Sequence, residues 1–265
     1  MYCAKIITGV EDSAMTAIPE KPPAIRGARV SRWAVGLIIA AIILGALGLT
    51  LARYDMIGKM LGFSAFMLGG LLALVGLLVS LVALWRGRQV PLSARKGLIG
   101  AMAVAALYAG FLATRPMAAG DAPPLHDLTT DLANPPQFET LTLREDNLVG
   151  VDTVENWRTI HAQAYGKLQP VIIGQPVADV TAKAEQLARE AGWTIVKSDP
   201  ARGHLEATAS VSFIRFQDDV VLRITPEAGG LKSKVDMRSV SRVGVGDLGV
   251  NARRIQDFLQ ALAKA

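Results

Sequence analysis

Apolar and polar residues follow two regimes along this chain. Three runs contain no charged residue: Trp33 to Ala52, Met60 to Trp85 and Gly97 to Thr114, of 20, 26 and 18 residues. At about 1.5 Å of rise per residue, each matches a hydrocarbon layer roughly 30 Å thick, so each is predicted to be a membrane-spanning helix. With no Asp, Glu, Lys, Arg or His inside them, the spans lack the usual mark of an ion path or proton relay. Small residues recur at every fourth position, as Ala65, Gly69 and Ala73 in the second run and Gly97, Ala101, Ala105, Ala109 and Ala113 in the third. Such stripes allow close helix approach, within one chain or between copies in a homo-oligomer.

From Val171 the period shortens. Pro176 is placed to open a helix, Val177, Val180, Ala184, Leu187, Ala188 and Ala191 share one of its faces, and Gly192 is placed to stop it. Trp193 to Lys197 reads as a strand and Asp199 to Gly203 as a turn, after which Leu205, Ala207, Ala209 and Val211 alternate with His204, Glu206, Thr208 and Ser210. A second hairpin runs from Asp219 to Thr225 and from Ser233 to Arg238 around a turn at Pro226 to Gly230. Ile255, Phe258, Leu259, Leu262 and Ala263 form one face of a final helix. The expected fold is α+β: a three-helix transmembrane region, then an antiparallel sheet with two amphipathic helices on one face. The other face is expected to stand open, either simply wet or as a binding surface, showing Glu206, Thr208, Arg223 and Arg238.

The chain is thus divided into a disordered basic tail (1–32), the spans (33–114), a Pro-rich linker (115–150) and a soluble domain (151–265). The linker carries Pro116, Pro123, Pro124, Pro135 and Pro136, which break helices and central strands. Within it His126, Asp127 and Asp131 lie close together. Two carboxylates and an imidazole at no metal-binding spacing favour a turn held by Asp and Thr side chains over a metal site. Trp157, His161 and Tyr165 recur every four residues and suggest one packing face of a short helix.

Charge then assigns sides. Residues 1–119 hold 12 Lys and Arg against 4 Asp and Glu, whereas residues 120–265 hold 16 against 19. The basic surplus flanks the spans, as a topology signal does, and no nucleic-acid partner is expected. Five basic residues precede the first span, and four (Arg86, Arg88, Arg95, Lys96) follow the second, but only Arg53 and Lys59 lie in the first loop. The N-terminus and second loop are therefore expected in the cytoplasm and the C-terminal domain on the far side of a bacterial inner membrane, the periplasm. Cys3 is the single cysteine, which rules out an intrachain disulfide and a cysteine zinc site.

Asp236 to Ile255 holds the densest chemistry: four Arg, two Asp, two Ser, three Gly and an Asn. Its Gly244-Val245-Gly246-Asp247-Leu248-Gly249 is a literal GxGxxG, yet only 16 residues follow. That is too few to complete a dinucleotide fold, and Asp247 would repel the phosphate. The glycines are better read as a tight loop leading into a helix capped by Asp247 or Asn251. No GxxxxGK[ST], HExxH, GxSxG or CxxC occurs, and no cofactor is expected. Asp218 and Asp219 adjoin, but in a strand they point to opposite faces unless a bulge intervenes. Ser239 and Ser241 could act as nucleophiles only if His126, His161 or His204 were folded against them.

Several blocks together resemble the bacterial and plastid proteins that carry domain of unknown function 1499: HDLTTD with NPPQF (126–138), GWTIV (192–196), EATA (206–209), FQDDVVLRI (216–224) and DMRSVSRVGVGDLGVNARRI (236–255). The likeness covers about residues 122–262, with the spans as a membrane-anchored variant. It implies a domain boundary and no catalytic residue. The leading expectation is an envelope protein without chemistry of its own, anchored in the lipid bilayer and binding an envelope protein or lipid. Arg223, Asp236, Arg238, Arg242, Asp247 and Asn251, with Asp218 and Asp219, form the candidate binding set. The competing expectation is a metal- or carboxylate-dependent hydrolase or transferase acting on an envelope component through Asp218, Asp219 and Asp247. A third is that the charges only secure a corner of the fold.

Overall fold

The computed structural model describes residues 24–85, 92–119 and 122–264. The tail before Ala24, together with Arg86 and Arg88 of the basic second loop, lies outside the described residues. Three helices, α1 (Ala24–Arg53), α2 (Lys59–Trp85) and α3 (Leu92–Ala119), are long and apolar enough to cross a membrane. α1 begins within the stretch expected to be a disordered tail, because no proline follows Pro23 to stop the helix from running back through Arg29 and Arg32.

α1 and α2 approach through small residues. A β-carbon at Gly48 would lie 2.5 Å from Ala65 Cβ, and one at Gly69 2.7 Å from Ala41 O, so the Ala65/Gly69/Ala73 stripe packs within the chain. α3 joins through buried Ala105 and through Tyr108, whose hydroxyl donates to Phe66 O at 2.6 Å. Gly97 and Gly110 of α3 have nothing within 4 Å of the position a β-carbon would take.

The rest of the chain builds a sheet in the order β1-β6-β5-β4-β3, with β2 on the same edge of β6 as β1. β3 (Thr194–Asp199), β4 (His204–Val211), β5 (Phe216–Glu227) and β6 (Lys232–Ser241) form an antiparallel meander. β1 (Asp127–Thr129) and β2 (Val171–Ile173) pair with successive stretches of β6. α5 (Val177–Glu190) and α6 (Val250–Lys264) cover one face, where Val180, Ala184, Leu205, Val220, Leu222, Met237, Ile255 and Leu262 form the buried core. At roughly 1.5–3 kcal/mol for each large aliphatic side chain buried, this core carries the fold. Thr153 caps α4 (Val154–Tyr165), which closes the β1 edge: Trp157 Nε1 donates to Asp127 O at 2.8 Å, and His161 Nε2 accepts from Thr129 N at 3.1 Å.

Two further expectations need correction. Residues 122–150 are not a linker: Leu125 to Thr130 are buried, and β1 supplies an edge strand. Nor does the second sheet face stand open. Residues Asp131 to Leu141 cross it as an irregular strap, running from β6 and β5 to β4 and β3. Prolines exclude regular structure but not burial, and an irregular segment can be buried when side chains satisfy its backbone.

Packing of α1 on α2 is directly testable. A β-carbon at Gly62 would meet Ala52 Cβ and stand 2.5 Å from Gly48 O. Gly62→Leu is expected to destabilise the helix pair by about 1–3 kcal/mol, whereas Gly110→Leu is expected to leave the melting temperature in detergent micelles unchanged.

Candidate functional site

The strap is held through its main chain. Glu206 of β4, fully buried on the polar face, accepts from Glu139 N at 2.5 Å, Thr140 N at 3.1 Å and Leu141 N at 2.8 Å, and contacts His204 Nε2 at 2.7 Å. Burial would raise its pKa, but the three N–H groups and His204 outweigh burial and hold the carboxyl below its usual range. Strap carbonyls are met by arginines of the sheet: Arg223 Nη1 donates to Asn134 O at 2.9 Å and Arg238 Nη1 to Pro136 O at 3.3 Å. Pro135 and Pro136 have no N–H to satisfy, which suits them to this position. At the outer end Lys197 and Arg202 grip Glu139 at 2.6 and 2.7 Å, pulling its pKa down to about 2.

Ion pairs tie the remaining polar face together. Arg238 forms a two-pronged pair with Asp127, Nε to Oδ1 at 2.9 Å and Nη2 to Oδ2 at 2.6 Å, both side chains being buried. Arg223 Nη2 reaches Asp131 at 2.9 Å and Asp236 at 3.1 Å, and Thr130 donates to the other Asp236 oxygen at 3.2 Å. Asp131 also accepts from Ala133 N and Asn134 N and donates from its own N to Thr129 Oγ1, making a turn held by Asp and Thr side chains as the sequence leads one to expect. Arg242 clamps both oxygens of Asp219 at 2.8 Å and donates to Thr208 and Gln217. Removing one partner of a buried pair leaves a bare charge out of water, at a cost of about 3–5 kcal/mol.

A second cluster faces α6. Asp218 shares the parity of Val220 and Leu222, so it points to the helix side, where Arg254 Nη2 meets it at 2.6 Å. Arg254 also bonds Asn251 Oδ1 and, at 2.9 Å, Ser239 Oγ. Asn251 in turn donates to His126 O at 3.1 Å and Ser241 Oγ at 2.9 Å, and accepts from Ser239 Oγ at 2.6 Å. Asn251 is thus a buried bridge between sheet and helix. Asp247 is the capping group: its oxygens accept from Gly249 N at 2.9 Å and Asn251 N at 2.5 Å. Burial, with Asp218 adding to it, raises the Asp247 pKa against these hydrogen bonds. The glycine loop positions this cap, with positive φ at Gly244, Leu248 and Gly249. A carboxylate of the chain itself therefore sits where a bound phosphate would lie at a helix N-terminus.

The eight candidate residues are divided between the two faces. Arg223, Asp236, Arg238, Arg242 and Asp219 lie under or beside the strap, while Asp218, Asp247 and Asn251 lie toward α6. Asp219 is therefore not brought to Asp218 and Asp247, and among the described residues no group of three or more His, Cys, Asp or Glu could hold a metal ion. Ser239 and Ser241 face Asn251 rather than an imidazole. Three central participants lie outside that set of eight: Asp127, weighed only as a metal ligand, Glu206, expected on the open face, and Arg254. Arg254 could have been found, since it follows Asn251 by three residues and precedes Phe258 by four, on the buried side of the helix.

Among the described residues two clefts open on the domain, and the second reaches this framework. One of about 520 Å³ runs along α6 beside Lys167, Gln169, Ile255 and Leu259. The other, of about 220 Å³, is lined by Phe138, Thr142, Arg144, Asp219, Ser241 and Arg242. It holds Arg242, the one exposed member of the candidate set, with 39% of its side chain open to solvent. A family model described as a protein of unknown function, DUF1499, matches residues 127–262. No curated protein matches the chain.

The Glu206 cradle should be visible in stability. Glu206→Gln replaces an acceptor of several N–H groups by an amide and is expected to cost about 3 kcal/mol in denaturant unfolding of the detergent-solubilised chain. Because the folded pKa lies below the unfolded one, the contribution is complete above the unfolded value of about 4.3 and is lost as pH falls through the folded value. The wild type should therefore lose more stability than Glu206→Gln on acidification below that point.

Proposed function

The chain belongs to the DUF1499 family of proteins of unknown function, and we propose that it is a non-catalytic binding protein of the bacterial envelope. In this reading the three helices anchor it in the inner membrane, the N-terminus is cytoplasmic, and the C-terminal domain faces the periplasm. The observation that carries the reading is the pairing of charges. Asp127, Asp131, Asp218, Asp219 and Asp236 each meet an arginine, and Glu206 is saturated by N–H groups and His204, so the ionised groups are spent on holding the domain together. The deeply buried members, Asp236, Arg238, Asp218 and Asn251, build the contact surface from within. A protein or lipid partner meets the domain at the cleft of about 220 Å³ beside Phe138, Arg144 and Arg242. Support for the orientation comes from the odd number of candidate spans among the described residues and from the basic residues before the first span and between the second and third.

A photo-crosslinking amino acid at Thr142, on the rim of that cleft, is expected to give discrete adducts in intact cells. Arg242→Ala should abolish them at a cost of about 3 kcal/mol, because Asp219, 8% exposed, is left without its partner, and Arg242→Lys, which keeps a cation beside Asp219, should restore stability ahead of the adducts. Adducts that persist unchanged would remove the cleft as the site. For orientation, alkaline phosphatase fused after Ala265 should be active and β-galactosidase fused there inactive, and the reverse pattern would overturn the periplasmic assignment.

A further inference from the structure

The loop between β4 and β5 touches the membrane region. Val211 pairs with Phe216, leaving Ser212 to Arg215 as a four-residue tip closed by Arg215 N donating to Ser212 O at 3.2 Å. Ser212 and Arg215 both take positive φ, 64° and 62°. Ile214 is turned inward and buried, while Phe213 is 55% exposed and Arg215 is exposed. Arg53, the last residue of α1, donates from Nη1 to Phe213 O at 2.8 Å and holds its guanidinium 4.8 Å from the centre of the Phe213 ring. Beside it the Phe216 ring meets Phe63 of α2, edge to face, at 6.3 Å between centroids.

Helix length locates this contact in depth. The 27 residues of α2 extend about 40 Å, against a hydrocarbon layer of roughly 30 Å, so about 5 Å stands beyond the layer at each end if the helix is centred. Phe63 follows Lys59 by one turn, and thus falls at the edge of the acyl region. A group that touches Phe63 and Arg53 from the soluble domain stands at headgroup level. Tyr54 and Met56 of the α1–α2 loop are also exposed there, next to Arg53 and Lys59. Aromatic rings joined to basic side chains suit the boundary where acyl chains meet phosphates.

We propose that the β4–β5 tip is a second membrane attachment, in which Phe213 enters the headgroup–acyl boundary and Arg53 and Arg215 engage lipid phosphates. The soluble domain is then held at the bilayer by its own hairpin as well as by α3. This rests on the reading of α1–α3 as spanning helices, and the test separates the two.

The full chain carrying Cys3→Ser is reconstituted in vesicles of phosphatidylcholine and phosphatidylglycerol and labelled with an environment-sensitive fluorophore at Phe213→Cys. Parallel samples carry the label at Leu231→Cys, an exposed site at the opposite end of the β5–β6 hairpin, or at Ile43→Cys, in the interior of α1. The 213 label should be quenched by a nitroxide near the headgroup and protected from aqueous iodide at least threefold relative to the 231 label. Iodide quenching at 213 equal to that at 231, with Ile43→Cys still quenched by a deep nitroxide, would overturn the attachment and leave the spans intact. Loss of deep quenching at 43 would overturn both.

Discussion

Charge that leaves water must find a partner, and this domain depends on that constraint. Its polar sheet face is roofed by a strap that has no ladder of its own, so the strap's N–H and C=O groups would be stranded. Glu206 takes up three consecutive N–H groups, and Arg223 and Arg238 take up carbonyls on the same segment. The arginines are neutralised in turn by Asp127, Asp131 and Asp236. Sheet, strap and edge strand thus stabilise one another and are expected to form as a unit.

The same constraint governs the junction with α6. Asp218 and Arg254 are paired between sheet and helix, and Asn251 joins β6, α6 and the segment before β1. These charged and amide groups sit at the margin of an apolar core, where an incomplete network would cost more than an aliphatic replacement. Their value lies in fixing the register and the angle at which α6 leaves the sheet. The surfaces these groups shape include the cleft at Arg242 and the hairpin tip beside α1 and α2, the two places proposed to meet a partner and the bilayer.

Much of the framework could be read directly. The uncharged runs anticipate α1 to α3; Pro176 and Gly192 bracket α5, and the alternation from His204 to Ser210 anticipates β4. Asp218 and Asp219 diverge as the pleat requires. The roles of β1 and the strap could not be read, because their signals are long-range. Asp127 pairs with Arg238 across 111 positions, and Glu206 meets Thr140 across 66. The prolines near these residues suggested a linker, since local pattern reports which regular structures are barred and not what covers the segment.

For this protein the sequence by itself determined what short-range physics controls: which runs can cross a membrane, which face of each strand and helix is apolar, and where the chain turns. Tertiary structure alone decided which charge meets which, and so whether the Asp236–Ile255 block lies open or buried. Pairing energies depend on separation and burial, and both are properties of the folded chain. Arg238 and Arg242 are four residues apart, yet the strap buries the first against Asp127 and leaves the second half open at a cleft.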